Sequence, residues 1–240
     1  MKVRNLASTK FNNFRKKASS LKRDLAKTDQ NIIKNYFHNN QIRKLHIGCG
    51  NHRLKGWLNA DLSSNSAQVL RIDATKTFPF DSNQFDYIFS EHMIEHITYS
   101  GGEIMLAECF RVLKPGGKLR ISTPDFLFLI NLYQENQSKL QTDFIKHSSD
   151  KWIEDSPHYK NAPDFREIFV INNYMRSWGH EFIYDERVLH YLLEKVGFIK
   201  VSRVNVSESQ DEALQDLENV SRKPPGLIGL ESLVIECIKP

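Results

Sequence analysis

The chain has 240 residues, 40% hydrophobic and 26% charged, with a formal net charge of +4, enough apolar material for one sizeable core. This excludes a wholly disordered chain and makes one α/β domain with an extension the natural expectation. No run reaches the roughly twenty apolar residues of a membrane span, the start Met1-Lys2-Val3-Arg4 leads into polar sequence rather than a signal-peptide segment, and Cys49, Cys109 and Cys237 have neither disulfide nor zinc-ligand spacing, so a soluble cytoplasmic protein without a metal centre is expected.

The charge is unevenly spread: residues 1–44 hold twelve Lys or Arg against Asp24 and Asp29, a balance of +10 that leaves −6 for the rest. The simplest meaning is a solvated helix face. Attraction to an anionic partner (nucleic acid, membrane surface or acidic protein) is the alternative. Phe11, Phe14, Ala18, Leu21 and Leu25 alternate spacings of three and four, which predicts an amphipathic helix over about 9–27. A second helical stretch, Asn31 to Phe37, leads into the core, so residues 1–40 form a basic helical extension and 41–240 the main domain.

From Lys44 onward short apolar runs alternate with helical patterns, the signature of a parallel sheet covered on both faces. Strands are expected at 44–48, 57–61, 69–73, 86–90 and 117–122. A helix over Glu103 to Leu113 is stopped by Lys114-Pro115-Gly116-Gly117, and another begins at Phe126 and runs to Tyr133. Residues 136–180 are polar, dotted with aromatics and without clear period, and read as an insertion of the lid or binding-surface kind. A helix from Asp185 to Val196, with Gly197 past its end, and strands Ile199–Val206 and Ser232–Ile238 complete the domain; Ser221 to Gly229, with Pro-Pro-Gly, reads as a connecting loop.

In a doubly wound sheet, ligands bind outside the carboxyl ends of the strands. Those ends are Gly48-Cys49-Gly50, Asp61, Asp73, Ser90-Glu91-His92 and Thr123-Pro124-Asp125. Glycine lets the backbone approach a ligand closely. An acid after strand two can accept both ribose hydroxyls, and one after strand three an exocyclic amine of adenine. The dinucleotide fingerprint Gly-x-Gly-x-x-Gly would need glycine at position 53, where Arg53 stands, which argues against a nicotinamide oxidoreductase.

Four segments together resemble the class I S-adenosylmethionine-dependent methyltransferases, particularly the type 11 branch. They are Leu45 to Asn51, Gly56 to Asp61, Phe85 to His96 and Leu113 to Gly117. The resemblance implies a Rossmann-like, doubly wound, mostly parallel seven-stranded sheet in the order 3-2-1-4-5-7-6, with Ser232 to Ile238 slotted antiparallel between strands five and six. It implies S-adenosyl-L-methionine as cofactor, with Gly48, Cys49 and Gly50 near the methionine portion, Asp61 on the ribose, Asp73 and Ala74 against the adenine, and the backbone of Ser90, Glu91 and His92 lining the inner pocket. Two positions depart from the family pattern. His46 replaces the usual acid, and only ten residues, Asn51 to Ala60, separate Gly50 from Asp61, so the first crossover helix must be very short or irregular.

Transfer of an activated methyl group needs alignment and exclusion of water, with a base only where the acceptor must lose a proton. His92 is one candidate base, a structural hydrogen bond to its loop being an equal reading. His180 is the second, in the segment Ile171 to His180 that resembles the acceptor side of the same branch; Tyr174, Arg176 and Trp178 are further candidates there. Glu95 and His96 are expected to bond nearby backbone at a helix start, and Asp125 and Asp185 to be N-caps. The expected acceptor is an oxygen of a small molecule or sugar, which a wall of Tyr, Trp and His would suit. The reading from another class is a catalytically inactive binding module recruited to RNA, membrane or a protein partner by the basic arm.

Overall fold

In the computed structural model, residues 27–63, 66, 68–154, 156, 157, 159 and 166–240 are described. The helix expected over 9–27 lies outside the described residues apart from its last position. Helix α1 (27–39) is seated on the sheet: Ile32, Ile33, Tyr36 and Phe37 pack against the main core. The Tyr36 hydroxyl accepts from Lys44 N (2.8 Å) and donates to Lys44 O (2.9 Å), pinning the helix to the first strand.

Seven strands follow: β1 (Lys44–Ile47), β2 (Leu58–Asp61), β3 (Leu70–Arg71), β4 (Phe85–Glu91), β5 (Leu113–Pro124), β6 (Ile199–Val204) and β7 (Ser232–Ile238). They form one sheet in the order β3-β2-β1-β4-β5-β7-β6, with β7 antiparallel to both neighbours, as the family resemblance implied. Strands β1 and β4 are buried along most of their length because the sheet is covered on both faces. Buried Arg120, in the middle of β5, spends its guanidinium on Glu218 (2.7 Å) and Glu236 (2.5 Å) and on the carbonyls of Asn205 and Glu208, which fastens the 205–218 segment to the sheet.

The β1–β2 crossover contains no helix, which carries the expectation of a short one to its limit. Asn59 stitches it instead: Oδ1 accepts from Leu54 N (2.9 Å), and Nδ2 donates to Leu54 O (3.0 Å) and Trp57 O (3.1 Å). With Oδ1 already accepting, His46 Nδ1 at 3.1 Å must be the donor. His46 is 1% exposed, its ring lies 5.1 Å from that of Phe89, and burial lowers its pKa to about 4. It is a neutral imidazole that clamps the crossover.

Helix α2 (Tyr99–Val112) starts a turn earlier than expected, capped by Thr98 Oγ1 accepting from Gly101 N. Gly102, inside this helix, is required by packing: a Cβ there would lie 2.2 Å from the Tyr184 hydroxyl. Helix α3 (Phe126–Asn131) is capped by Asp125, as expected.

The insertion is helical, a correction to its reading as aperiodic chain. Helix α4 (Lys139–Trp152) begins with a capping box of Ser138 and Gln141, and helix α5 (Arg166–Arg176) follows. Their apolar period is hidden because Ser148, Ser149 and Asn173 share the buried faces with Phe144, Ile145, Val170 and Tyr174. Helix α6 (Glu186–Val196) has Asp185 as N-cap and Gly197 as left-handed C-cap, as expected. The loop expected at 221–229 instead contains a 3-10 turn (Val220–Arg222) and helix α7 (Leu227–Glu231). Residues of α3, α4, α5 and α7 form a second apolar cluster separate from the main core.

Candidate active site

The β1 ending is a tight glycine loop. Gly48 has φ +71, and a Cβ there would fall 2.2 Å from Met93 Cγ; Gly48 N and Cys49 N both donate to Ala60 O (2.9 and 3.0 Å). At Gly50 (φ +49) a Cβ would meet nothing within 4 Å, so open space lies beside its backbone. Gly50 N donates to Asp61 Oδ2 (2.9 Å), while Asp61 Oδ1 accepts from Ser63 N (2.9 Å) and Ser63 Oγ (3.2 Å). Asp61 therefore joins the ends of β1 and β2 and keeps an outward, partly exposed edge. Cys49 is buried, and burial with the nearby Asp61 charge pushes its thiol up to about 11, so it packs rather than reacts.

Asp73 closes its own turn: Oδ1 accepts from Thr75 Oγ1 (2.6 Å) and Thr75 N (3.1 Å), and Oδ2 faces Lys76 Nζ at 2.8 Å. Its carboxyl is held at about 2 by the Lys76 and Thr75 hydrogen bonds. Ala74 packs into the main core. Ser90 is buried, with no hydrogen bond to Oγ among the described residues. The Glu91 side chain is committed to the fold: Asn219 N donates to both its oxygens (3.0 and 3.2 Å), and His52 Nδ1 lies 3.3 Å away.

Past Glu91 the chain turns sharply. His92 sits in the left-handed region (φ 45), a conformation that costs a non-glycine residue about 1–3 kcal/mol and is held here by His92 N donating to Ser122 O (2.8 Å). Its Nδ1 lies 3.3 Å from Glu95 Oε1 and its Nε2 3.1 Å from Ser232 Oγ. Glu95 is wholly buried; burial pushes its carboxyl up, but His92 outweighs this and holds it below the usual range. Its Oε2 accepts from Thr123 Oγ1 (3.1 Å). The Glu95 side chain thus pairs with His92 and Thr123, a correction to the backbone-bonding role expected for it.

His92 and His180, far apart in sequence, line one cavity of about 290 Å³ with Glu95 and His96. His180 comes from the loop after α5. Its Nδ1 donates to Tyr174 O (2.5 Å), and burial keeps its pKa low, so Nε2 carries the free lone pair. The cavity's aromatic side is Trp152, Tyr174 and Trp178, with ring centroids 5.3 Å apart for the tryptophans and 5.6 Å for Tyr174 and Trp178. Arg176, offered by the sequence with these, lines a different groove with Tyr159 and Phe169.

Several lining residues escape sequence reasoning. Lys151 and Trp152 end α4, whose period is hidden, and Arg222, Lys223 and Glu231 belong to the segment read as a connector and its edge. Glu231 accepts short hydrogen bonds from the Tyr174 hydroxyl and Lys223 Nζ, and burial lowers the Lys223 pKa against the pull of Glu231. The capping box at Ser138 was the one local signal that a helix would bring Lys151 and Trp152 here. A larger groove of about 790 Å³ runs along α3 and α6, but its Asp125, Glu186 and Arg203 are paired with one another and it contains none of the β1 to β4 endings.

Residues 45–121 match the family model described as a methyltransferase domain. Over that segment, about a third of the chain, the sequence resembles a methyltransferase domain, and the seven-stranded sheet has the Rossmann-like methyltransferase fold. A SAM-dependent methyltransferase from Archaeoglobus fulgidus has the same fold, with a TM-score of 0.50 and 17% identity over 90% of this chain and 94% of that one. Further similar structures are a possible histamine N-methyltransferase from Thermotoga maritima (TM-score 0.45, 20% identity, 84% of each chain) and phosphoethanolamine N-methyltransferase 2 from Haemonchus contortus in complex with S-adenosyl-L-methionine (TM-score 0.43, 17% identity, 88% of this chain). The chain spans 52%, about half, of the Haemonchus protein. No curated protein matches the sequence. Within the matched segment the glycine loop and Asp61 lie at the ends of β1 and β2, and His92 follows β4. No helix among the described residues is long and apolar enough to cross a membrane.

Proposed function

We propose that this methyltransferase domain transfers a methyl group from S-adenosyl-L-methionine to an oxygen of a small, sugar-like acceptor held in the cavity of His92 and His180. The observation that carries this reading is the convergence of both histidines with an aromatic wall beyond the end of β4. The residues fit the cofactor: Gly50 leaves open space where a side chain would stand, beside the partly exposed edge of Asp61.

When bound, the cofactor supplies a methyl carbon made electrophilic by its sulfonium. The chain's own residues bind, orient and exclude water. Gly48, Cys49 and Gly50 approach the methionine portion, Asp61 accepts from the ribose, Asp73 and Ala74 flank the adenine, and the backbone of Ser90 and Glu91 lines the inner wall. The Glu95 carboxylate favours the proton on His92 Nδ1 and leaves Nε2 as the basic nitrogen that takes the acceptor's hydroxyl proton, the orienting logic of an acid beside a catalytic histidine. Trp152 and Trp178 offer apolar faces to the carbon face of a sugar ring and keep water from the site. His180, with its Nδ1 held by the Tyr174 carbonyl, is the second histidine on the acceptor side of the cavity.

The test is to incubate the purified chain with S-adenosyl-L-methionine and a panel of sugars and small hydroxylated, amino and thiol compounds, and to identify the product by mass and NMR. An O-methyl product is expected. Methyl found on nitrogen or sulfur overturns the assignment of the acceptor atom.

A further inference from the structure

Beside its assigned proton-transfer role the cavity contains a set of ligand atoms of another kind. Glu95, His96 and His180 each offer one, and these lie within 4.8 Å of one another. The set is held by backbone: Glu181 N and Phe182 N both donate to Glu95 O (2.8 and 3.2 Å), locking the His180 loop onto the 3-10 turn Ile94–His96. The imidazoles of His96 and His180 meet edge to face, centroids 4.8 Å apart.

Two independent features point to a cation. The proton of His180 is fixed on Nδ1 by the Tyr174 carbonyl, the outer-shell bond that metal-ligating histidines characteristically make, which leaves Nε2 to coordinate. Glu95 is 0% exposed, and among the described residues its Oε1 has only the long 3.3 Å ion-pair contact with His92 Nδ1, which falls short of a hydrogen bond. A buried anionic oxygen left short of partners is costly, and a cation would satisfy it.

We propose that Glu95, His96 and His180 bind one divalent first-row transition ion of the Zn²⁺ or Mn²⁺ kind. Two imidazoles and one carboxylate suit these ions, whereas Mg²⁺ and Ca²⁺ require oxygen ligands. Bonds of 2.0–2.2 Å place tetrahedral ligand atoms about 3.4 Å apart, so the set closes by roughly 1 Å on binding. Exposed His96 is the ligand free to make that movement. Three protein ligands leave a position open toward the cavity for an acceptor oxygen, the arrangement of catalytic rather than structural metal sites. That last role rests on the methyltransferase reading; the binding of the ion does not.

The experiment is calorimetric titration of tag-free, metal-stripped protein with Zn²⁺, Mn²⁺ and Mg²⁺ in the absence of cofactor, alongside the visible spectrum with Co²⁺. One Zn²⁺ or Mn²⁺ per chain is expected, with no saturable Mg²⁺ binding. His96→Ala, an exposed change that leaves the fold intact, and His180→Ala should each weaken the ion by at least about 10-fold, the lower end of what losing even an outer-shell partner costs. Absence of saturable binding, or affinity and Co²⁺ spectrum unchanged in both variants, overturns the site. S-adenosylhomocysteine titrated into the same preparation separates the two readings: ion binding without it sinks only the cofactor assignment, and the converse sinks only the ion.

Discussion

Acidification tests the role of His46 as a neutral clamp. The ordinary histidine pKa is about 6.5, and in the folded chain burial lowers that of His46 to about 4. The folded pKa is depressed, so the stabilisation is complete above about pH 6.5 and is lost as pH falls toward 4, because the unfolded chain takes up a proton that the folded one refuses. The gap corresponds to about 3 kcal/mol, and at 1% exposure no discount for solvent screening applies. His46→Gln, whose amide can still donate to Asn59 Oδ1, removes the titration while keeping a donor. Urea unfolding of both proteins at pH 7, 6, 5 and 4 gives the difference in stability, and terms common to both cancel. That difference should move against the natural protein by about 1.4 kcal/mol per pH unit within the window. A difference independent of pH between 7 and 4 would refute a buried neutral His46.

His92→Ala should lower turnover by about 10²–10⁴-fold, the usual contribution of a positioned base, while S-adenosylhomocysteine affinity stays near that of the natural protein; full activity in this variant would mean that transfer needs no base at this position. Gly102→Ala places a methyl group 2.2 Å from the Tyr184 hydroxyl and should cost about 1–3 kcal/mol in urea unfolding. Tyr184→Phe removes the obstructing oxygen, itself buried without a hydrogen bond among the described residues, so the double variant should regain most of that loss. If the two changes add, the clash is absent.

The strand-end residues were legible because β1, β2 and β4 are short apolar runs ending at glycine or acid, whereas the strand order came from the resemblance of four segments to a known family and not from local pattern. Asp125, Asp185 and Gly197 were legible as caps from local pattern. The acceptor side was not. The buried face of α4 includes Ser148 and Ser149, so its period does not show as an apolar stripe, and Arg222, Lys223 and Glu231 reach the cavity only through the tertiary placement of α7. His46 was puzzling in sequence because its partner, Asn59, is thirteen residues on and acts through a side-chain bond that no spacing rule encodes. Glu95 was read locally as a helix-start residue, whereas its side-chain partners are His92 and, across the strand ends, Thr123.

The central claim is that the loop of Gly48 to Gly50 and Asp61 cradles S-adenosylmethionine. Calorimetric titration of S-adenosylhomocysteine, with NAD in parallel, tests it most directly. The account predicts one S-adenosylhomocysteine per chain, no NAD binding, and a weakening of about 1–3 kcal/mol in Asp61→Ala from lost hydrogen bonds to a charged acceptor. Binding of NAD but not S-adenosylhomocysteine, or unchanged affinity in Asp61→Ala, would contradict it.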